Sequence, residues 1–296
     1  MQLGHIFPQA QIGLDPGALR AYVQGVEELG FDFIAVADHV LAADPSRWEA
    51  SGHTRPRDDE TYREPFMVLT FIAASTRKLE LETSILLLPQ RPTALVAKQA
   101  AELDLLSGGR LRLGVGMGMI PMEYEALGQD FHTRGRRLEE QIRLLRLLWT
   151  EEAVEFKGRW DVIGGAAIRP LPLQRPIPIW MGGGVGHRGI TDPALRRVAR
   201  SADGWCPGPA TPENDDEAWG RLKRYLAEAG RDPATFPYEM RTNSYKGTAE
   251  DWVSGFRKQQ ARGATHYSVD NRGAGYRGVD QHLQSLARWM EAVKTA

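Results

Sequence analysis

The stretch Leu79–Gly118, LELETSILLLPQRPTALVAKQAAELDLLSGGRLRLGVGMG, decides the fold. Leu79–Leu88 is rich in Leu and Ile and stops at Pro89, which reads as a buried strand. Pro92 then opens a helix in which Leu95, Gln99 and Leu103 share one face, with Val96, Ala100 and Leu106 beside it. Ser107-Gly108-Gly109 closes that helix, and Arg110–Val115 is a second short apolar strand. Strand, helix and strand joined by such short loops make a βαβ unit. Its strands run parallel and its crossover is right-handed.

The same alternation recurs in both directions. Upstream lie a strand at Leu3–Phe7 and a helix from Asp15-Pro16 to Gly30, with Asp15 as cap and Pro16 in the first turn. A strand at Phe33–Ala37 runs straight into Asp38-His39, and a helix covers Pro65–Ser75. Downstream, Leu138, Ile142, Leu145 and Trp149 form the apolar stripe of another helix. Residues 153–169, with a turn at Lys157-Gly158, read as a β-hairpin excursion. Four more strands follow at Ile177–Met181, Gly204–Cys206, Tyr238–Tyr245 and His266–Val269. Helices at Pro193–Ala199, Pro212–Ala229, Ala249–Arg262 and Asp280–Ala292 separate and follow them. This pattern favours a closed (β/α)8 TIM barrel over an open doubly wound sheet. No internal repeat or low-complexity linker divides the chain, so residues 1–296 read as one domain. Two long loops interrupt it, at 116–132 and at 41–64. The second is polar, carries Trp48, His53 and Tyr62, and has the length of a lid.

Composition narrows the function. The 296 residues are 42% hydrophobic and 25% charged, as in an ordinary soluble domain. A net charge of -1 gives no electrostatic reason for binding nucleic acid or an anionic membrane. The single cysteine, Cys206, excludes an intrachain disulfide and suits a reducing cytoplasm. No apolar run reaches the ~20 residues of a membrane span, and the N-terminus lacks a basic leader. The seven histidines show no metal-binding spacing, so no metal is expected.

Barrel chemistry sits at the C-terminal ends of the strands. Asp38-His39 is the one acid–imidazole pair at such an end; histidine suits proton transfer near neutral pH, and a flanking carboxylate tunes it. The plainer reading makes Asp38 a cap and His39 a packing residue. Gly114–Gly118, GVGMG, lacks the full dinucleotide fingerprint and opens no immediate helix; its glycines suit the approach of a flat ligand to the backbone. Successive amides at Gly182–Gly186, between strand and helix, suit an anion, or else form only a flexible loop. Arg134, Arg136 and Arg137 read as a solvated helix face. Met117, Met119 and Met122 line an apolar pocket or fill the core. There is no GxSxG elbow, and Cys206 has no activating motif around it.

Taken together, several segments carry a family likeness. They are ADHV at 37–40, LETSILLLPQRP at 81–92, AKQAAELDLLSGGRLRLGVGMG at 97–118, ALGQDFHTRGRRLEEQIRLLRLLW at 126–149, PIPIWMGG at 176–183 and ADGW at 202–205. Over about residues 1–210 the chain resembles the luciferase-like monooxygenase superfamily, and most closely its deazaflavin-dependent branch. The resemblance implies a (β/α)8 barrel that binds coenzyme F420 or, alternatively, FMN. It places Asp38 and His39 facing the ring, and Thr83, Ser84 and Ile85 beneath it with a non-prolyl cis peptide at Ser84-Ile85. It places Gly116, Met117 and Gly118 along the ring or ribityl chain, and Gly182, Gly183 and Gly184 at the phosphate or ribityl region. Sugar-phosphate dehydrogenases of this branch carry a glutamate where this chain has Met119, which leaves His39 as the one clear acid/base. The expected activity is hydride transfer between F420 and a small organic substrate. The alternatives are an FMN-dependent monooxygenase using reduced flavin and oxygen, and a non-catalytic flavin-binding protein. Family members are usually homodimers.

Overall fold

The structure is a computed structural model, and it describes residues 1–9, 11–41, 61–182, 190–208 and 212–295. Its strands are β1 (Gln2–Ile6), β2 (Phe33–Val36), β3 (Glu80–Thr83), β4 (Leu86–Leu87), β5 (Leu111–Gly116), β6 (Val154–Lys157), β7 (Val162–Ala166), β8 (Ile179–Met181), β9 (Gly204–Trp205), β10 (Glu239–Asn243) and β11 (His266–Asp270). All but β6 and β7 belong to one parallel sheet. Its order is β10-β11-β1-β2-β3-β5-β8-β9, with β4 a short continuation of β3 along β5. A parallel bridge between Trp205 and Tyr238 joins β9 to the start of β10 and closes the ring. This is the (β/α)8 barrel that the strand count and the likeness both imply.

The helices are α1 (Pro16–Glu28), α2 (Pro65–Ser75), α3 (Thr93–Ser107), α4 (Pro121–Ala126), α5 (Arg134–Thr150), α6 (Asp192–Ser201), α7 (Pro212–Glu228), α8 (Ala249–Ala261) and α9 (Gly278–Lys294). Side-chain caps set several starts. Asp15 accepts from the Ala18 amide at 2.7 Å, and Glu64 from the Met67 amide at 2.8 Å. Among the described residues no helix is long and apolar enough to cross a membrane.

Three departures matter. The face of α3 that meets the barrel is made mostly of small residues. Val96, Ala97, Ala100, Ala101, Leu103, Asp104 and Ser107 are buried, whereas Leu95 and Leu106 are 53% and 58% exposed. Small residues let this helix lie close to its neighbours, and Asp104 is fixed by the amides of Leu173 and Gln174 at 2.8 and 3.0 Å. Next, the loop expected at 116–132 contains α4. Finally, the third strand is interrupted at Ser84-Ile85, where the peptide is cis. The hairpin β6–β7 forms where the sequence placed an excursion. Most of the lid-like loop, residues 42–60, lies outside the described residues.

Barrels of this type usually fill their interior with branched apolar side chains. Here two arginines cross it instead. Arg112 on β5 reaches the opposite strand β11, donating to His266 Nε2 at 2.9 Å, and also pairs with Glu80 at 3.0 Å and Glu82 at 2.9 Å. The rings of Phe33 and Trp180 lie 4.6 and 4.5 Å from its guanidinium carbon. Burial, and then Arg112 itself, lower His266 to about 3, so its Nε2 stays an acceptor. Higher up, Arg241 on β10 reaches the opposite strand at Ser84 and is held by Glu239.

Candidate active site

The site is built where β2, β3 and β5 end. Asp38 is buried, and both its oxygens are taken: Oδ2 accepts from the Leu87 amide at 2.9 Å, and Oδ1 from the Arg91 guanidinium at 2.8 Å. It locks the end of β2 to β4 and the turn before α3. The carboxylate that pairs with His39 is therefore not its neighbour Asp38 but Glu123 of α4, whose Oε2 stands 3.1 Å from Nδ1. Glu123 Oε1 accepts from the amides of Val40 and Leu41 at 2.8 and 3.2 Å, and Gln90 Nε2 donates to Oε2 at 3.4 Å. Burial opposes ionisation of Glu123, but the His39 contact and the two amides outweigh it, so its carboxyl is held below the usual range. An ionised Glu123 requires a proton on His39 Nδ1 and leaves Nε2, which makes no hydrogen bond among the described residues, as the reactive nitrogen. The edge of Tyr62 packs on the imidazole at 4.6 Å, and 22% of the His39 side chain is exposed.

Beside this dyad lies an apolar floor. The Ile85 side chain extends inward across the ends of β5 and β8. A Cβ at Gly116 would fall 1.9 Å from Ile85 Cδ1, and one at Gly182 would fall 2.8 Å from the same atom. Only glycine at both positions leaves room for Ile85 to lie flat there. Thr83 donates to the Gly114 carbonyl at 2.7 Å and holds β3 to β5, and the Ser84 hydroxyl accepts from Arg241. Gly118 takes a positive φ of 68° next to Gln90 and Leu87. The Met117 sulfur lies 3.5 Å from an Arg197 nitrogen, so that side chain turns toward α6, while its carbonyl accepts from the Tyr124 hydroxyl. Gly182 donates to Val115 at 2.9 Å, whereas Gly183 and Gly184 lie outside the described residues.

The sequence thus located Asp38, His39, Ser84, Ile85, Gly116 and Gly182 around one barrel end. It missed Glu123 and Arg241. The signal for Glu123 was present in PMEYEA at 121–126, a proline-led run with an acid in the first turn of a helix. Glu123 stands four residues after Met119 and brings a second ionisable side chain against His39.

Comparison with known proteins shows the family. A family model described as "Luciferase-like monooxygenase" matches residues 1–294. An uncharacterised protein of Mycobacterium tuberculosis is 35% identical over 273 residues, covering 90% of each chain. An F420-dependent glucose-6-phosphate dehydrogenase of Amycolatopsis mediterranei is 33% identical over 190 residues, 62% of this chain and 52% of that enzyme. A solved F420-dependent secondary alcohol dehydrogenase, in complex with an F420-acetone adduct, superposes with a TM-score of 0.77 at 18% identity, over 99% of this chain and 98% of that one. The chain belongs to the luciferase-like monooxygenase family. It is an oxidoreductase.

Proposed function

We propose that this protein binds coenzyme F420 and carries out hydride transfer with a small organic substrate. The observation that carries the reading is the Ile85 floor packed on Gly116 and Gly182, with the His39–Glu123 pair at the same barrel end. Such a floor fits one face of a planar tricyclic ring and excludes water from it. The names of the dehydrogenase relatives support the deazaflavin over FMN. Met119, in place of the glutamate of the sugar-phosphate enzymes, speaks for a different substrate.

The cofactor, when bound, supplies the hydride chemistry. The chain supplies the rest. Glu123 fixes the tautomer and aim of the imidazole, as a carboxylate does for a catalytic histidine elsewhere. His39 Nε2 then takes or returns the proton that accompanies oxidation or reduction at the substrate oxygen. Asp38, anchored by Arg91 and the Leu87 amide, keeps the end of β2 in register with the floor.

The test is a side-by-side titration of the purified protein with F420 and FMN. Tighter binding of F420 is expected. Stoichiometric FMN together with no affinity for F420 overturns the reading in favour of a flavin monooxygenase.

A further inference from the structure

Arg241 is fixed at two of its three guanidinium nitrogens. Nε donates to Glu239 at 3.1 Å, and Glu239 accepts in turn from the Ser268 hydroxyl. One Nη crosses the barrel to the Ser84 hydroxyl, directly before Ile85 of the floor. The other Nη makes no hydrogen bond among the described residues, and 17% of the side chain is exposed. Arg112, wedged between Phe33 and Trp180, closes the interior below. The open side of Arg241 therefore faces the mouth.

Its direct charge partner is Glu239. Glu239 on its own strand, Cys206 after β9, Glu82 on β3 and Arg272 after β11 are the titratable groups that act on it. Arg272 is neutralised by Asp270 at 2.7 Å. Burial pushes the Cys206 thiol well up, so it carries no charge. Burial and the neighbouring Glu239 push Glu82 up to about 7, and what charge it keeps is paired with Arg112. Arg112 is thus paired with Glu80 and Glu82, and Arg241 with Glu239, and what Arg241 holds open to a ligand is its free Nη.

We propose that Arg241 is a ligand-binding residue whose spare N–H and positive charge select the ionised form of a planar ring resting on the Ser84-Ile85 floor. This rests on the cofactor reading above. An oxidised 8-hydroxydeazaflavin and a reduced flavin each shed a proton near neutral pH and spread the charge over the ring system. A cation within hydrogen-bond reach favours that form. One charge-assisted hydrogen bond corresponds to about 10- to 100-fold in affinity.

The probes are F420 and 8-hydroxy-5-deazariboflavin, which keeps the ring and ribityl chain but has no phosphate. Each is titrated by fluorescence at pH 5 and pH 8, and the ionisation of the bound ring is followed by absorbance. Glu239→Gln/Arg241→Met removes both members of the buried pair, so neither charge is left alone. The double variant is expected to lose about 10- to 100-fold in affinity for both probes alike, mainly at pH 8. Its bound ring should ionise at least about one pH unit higher than in the wild type. Arg241→Gln, which keeps a donor for Ser84 without the charge, gives the same reading if the double variant does not fold. A folded variant with unchanged affinity and unchanged ring ionisation overturns the inference and leaves the cofactor reading standing. A wild type that binds neither F420 nor FMN overturns both. If it takes FMN alone, only the cofactor reading falls, and the same titration is read on reduced FMN.

Discussion

The lower and upper halves of the barrel interior each hold an arginine that reaches the opposite wall, and they differ in what surrounds it. Both terminal nitrogens of Arg112 are hydrogen-bonded, to Glu80, Glu82 and His266, and the rings of Phe33 and Trp180 lie against its guanidinium, while its Nε and Glu82 Oε1 are buried with no partner among the described residues. At the upper end, among the described residues, Arg241 keeps a terminal nitrogen free, and Asn243 on the same strand has a buried Oδ1 with no partner. His39, at the rim, likewise keeps Nε2. Burial of charge is thus common to both ends. The lower end turns both terminal nitrogens of its arginine onto the wall and ties the barrel together, and the upper end keeps one open to a ligand.

The sharpest division between the ends lies in rate. His39→Ala should lower single-turnover hydride transfer by about 10²- to 10⁴-fold while the melting temperature barely moves. Glu123→Gln, which weakens the aim of the imidazole without removing it, should lie between this variant and the wild type. A stable His39→Ala protein with normal hydride transfer would place the chemistry elsewhere. The lower end should behave in the opposite way. Arg112→Met leaves Glu82 buried without its partner and should cost about 3–5 kcal/mol of stability in urea unfolding. Adding Glu82→Gln should recover most of that loss. If Arg112→Met unfolds at the wild-type urea midpoint, the lower cluster does not hold the barrel together.

The smallest effect is a pH dependence. Burial lowers His5 and His266 to about 3 and His282 to about 4, so all three stay neutral in the fold but take up protons near pH 6.5 once unfolded. Stability that they contribute is present above pH 6.5 and is lost as the pH falls toward 4. Glu82 works against this, since its raised carboxyl keeps a proton in the fold between about 4.5 and 7 and releases it on unfolding. Near pH 5, unfolding should therefore take up about two protons net. The melting temperature should fall from pH 6.5 to pH 5; a flat or rising profile would show that these histidines are not buried neutral.

What the sequence made legible was local. The βαβ unit, the helix starts at Asp15-Pro16 and Pro65, the hairpin and the apolar stripe of α5 all depend on residues close together in the chain, and each appears in the fold. Which face of α3 meets the barrel was not legible, because leucines outweigh alanines in any hydrophobic count, whereas a crowded helix interface selects for small side chains. The contacts that build the site join distant positions, such as His39 to Glu123 and Ser84 to Arg241. Period and propensity carry no information about which inward-facing residues of different strands will meet. Only the ring order of the strands supplies that.

The ring has a thin seam. Between β9 and β10 it is closed by the Trp205–Tyr238 bridge, whereas β10 is zipped to β11 along Glu239–Asn243. A wall fastened unevenly opens first at its weakest joint, so hydrogen exchange should be fastest there among the barrel strands. Arg241 is rooted in that strand and anchored in the opposite wall, which makes it a stay across the joint. Each opening of the seam then slackens the surface under Ser84 and Ile85, and any ligand pressed against that surface slows the breathing of a joint on the far side of the barrel.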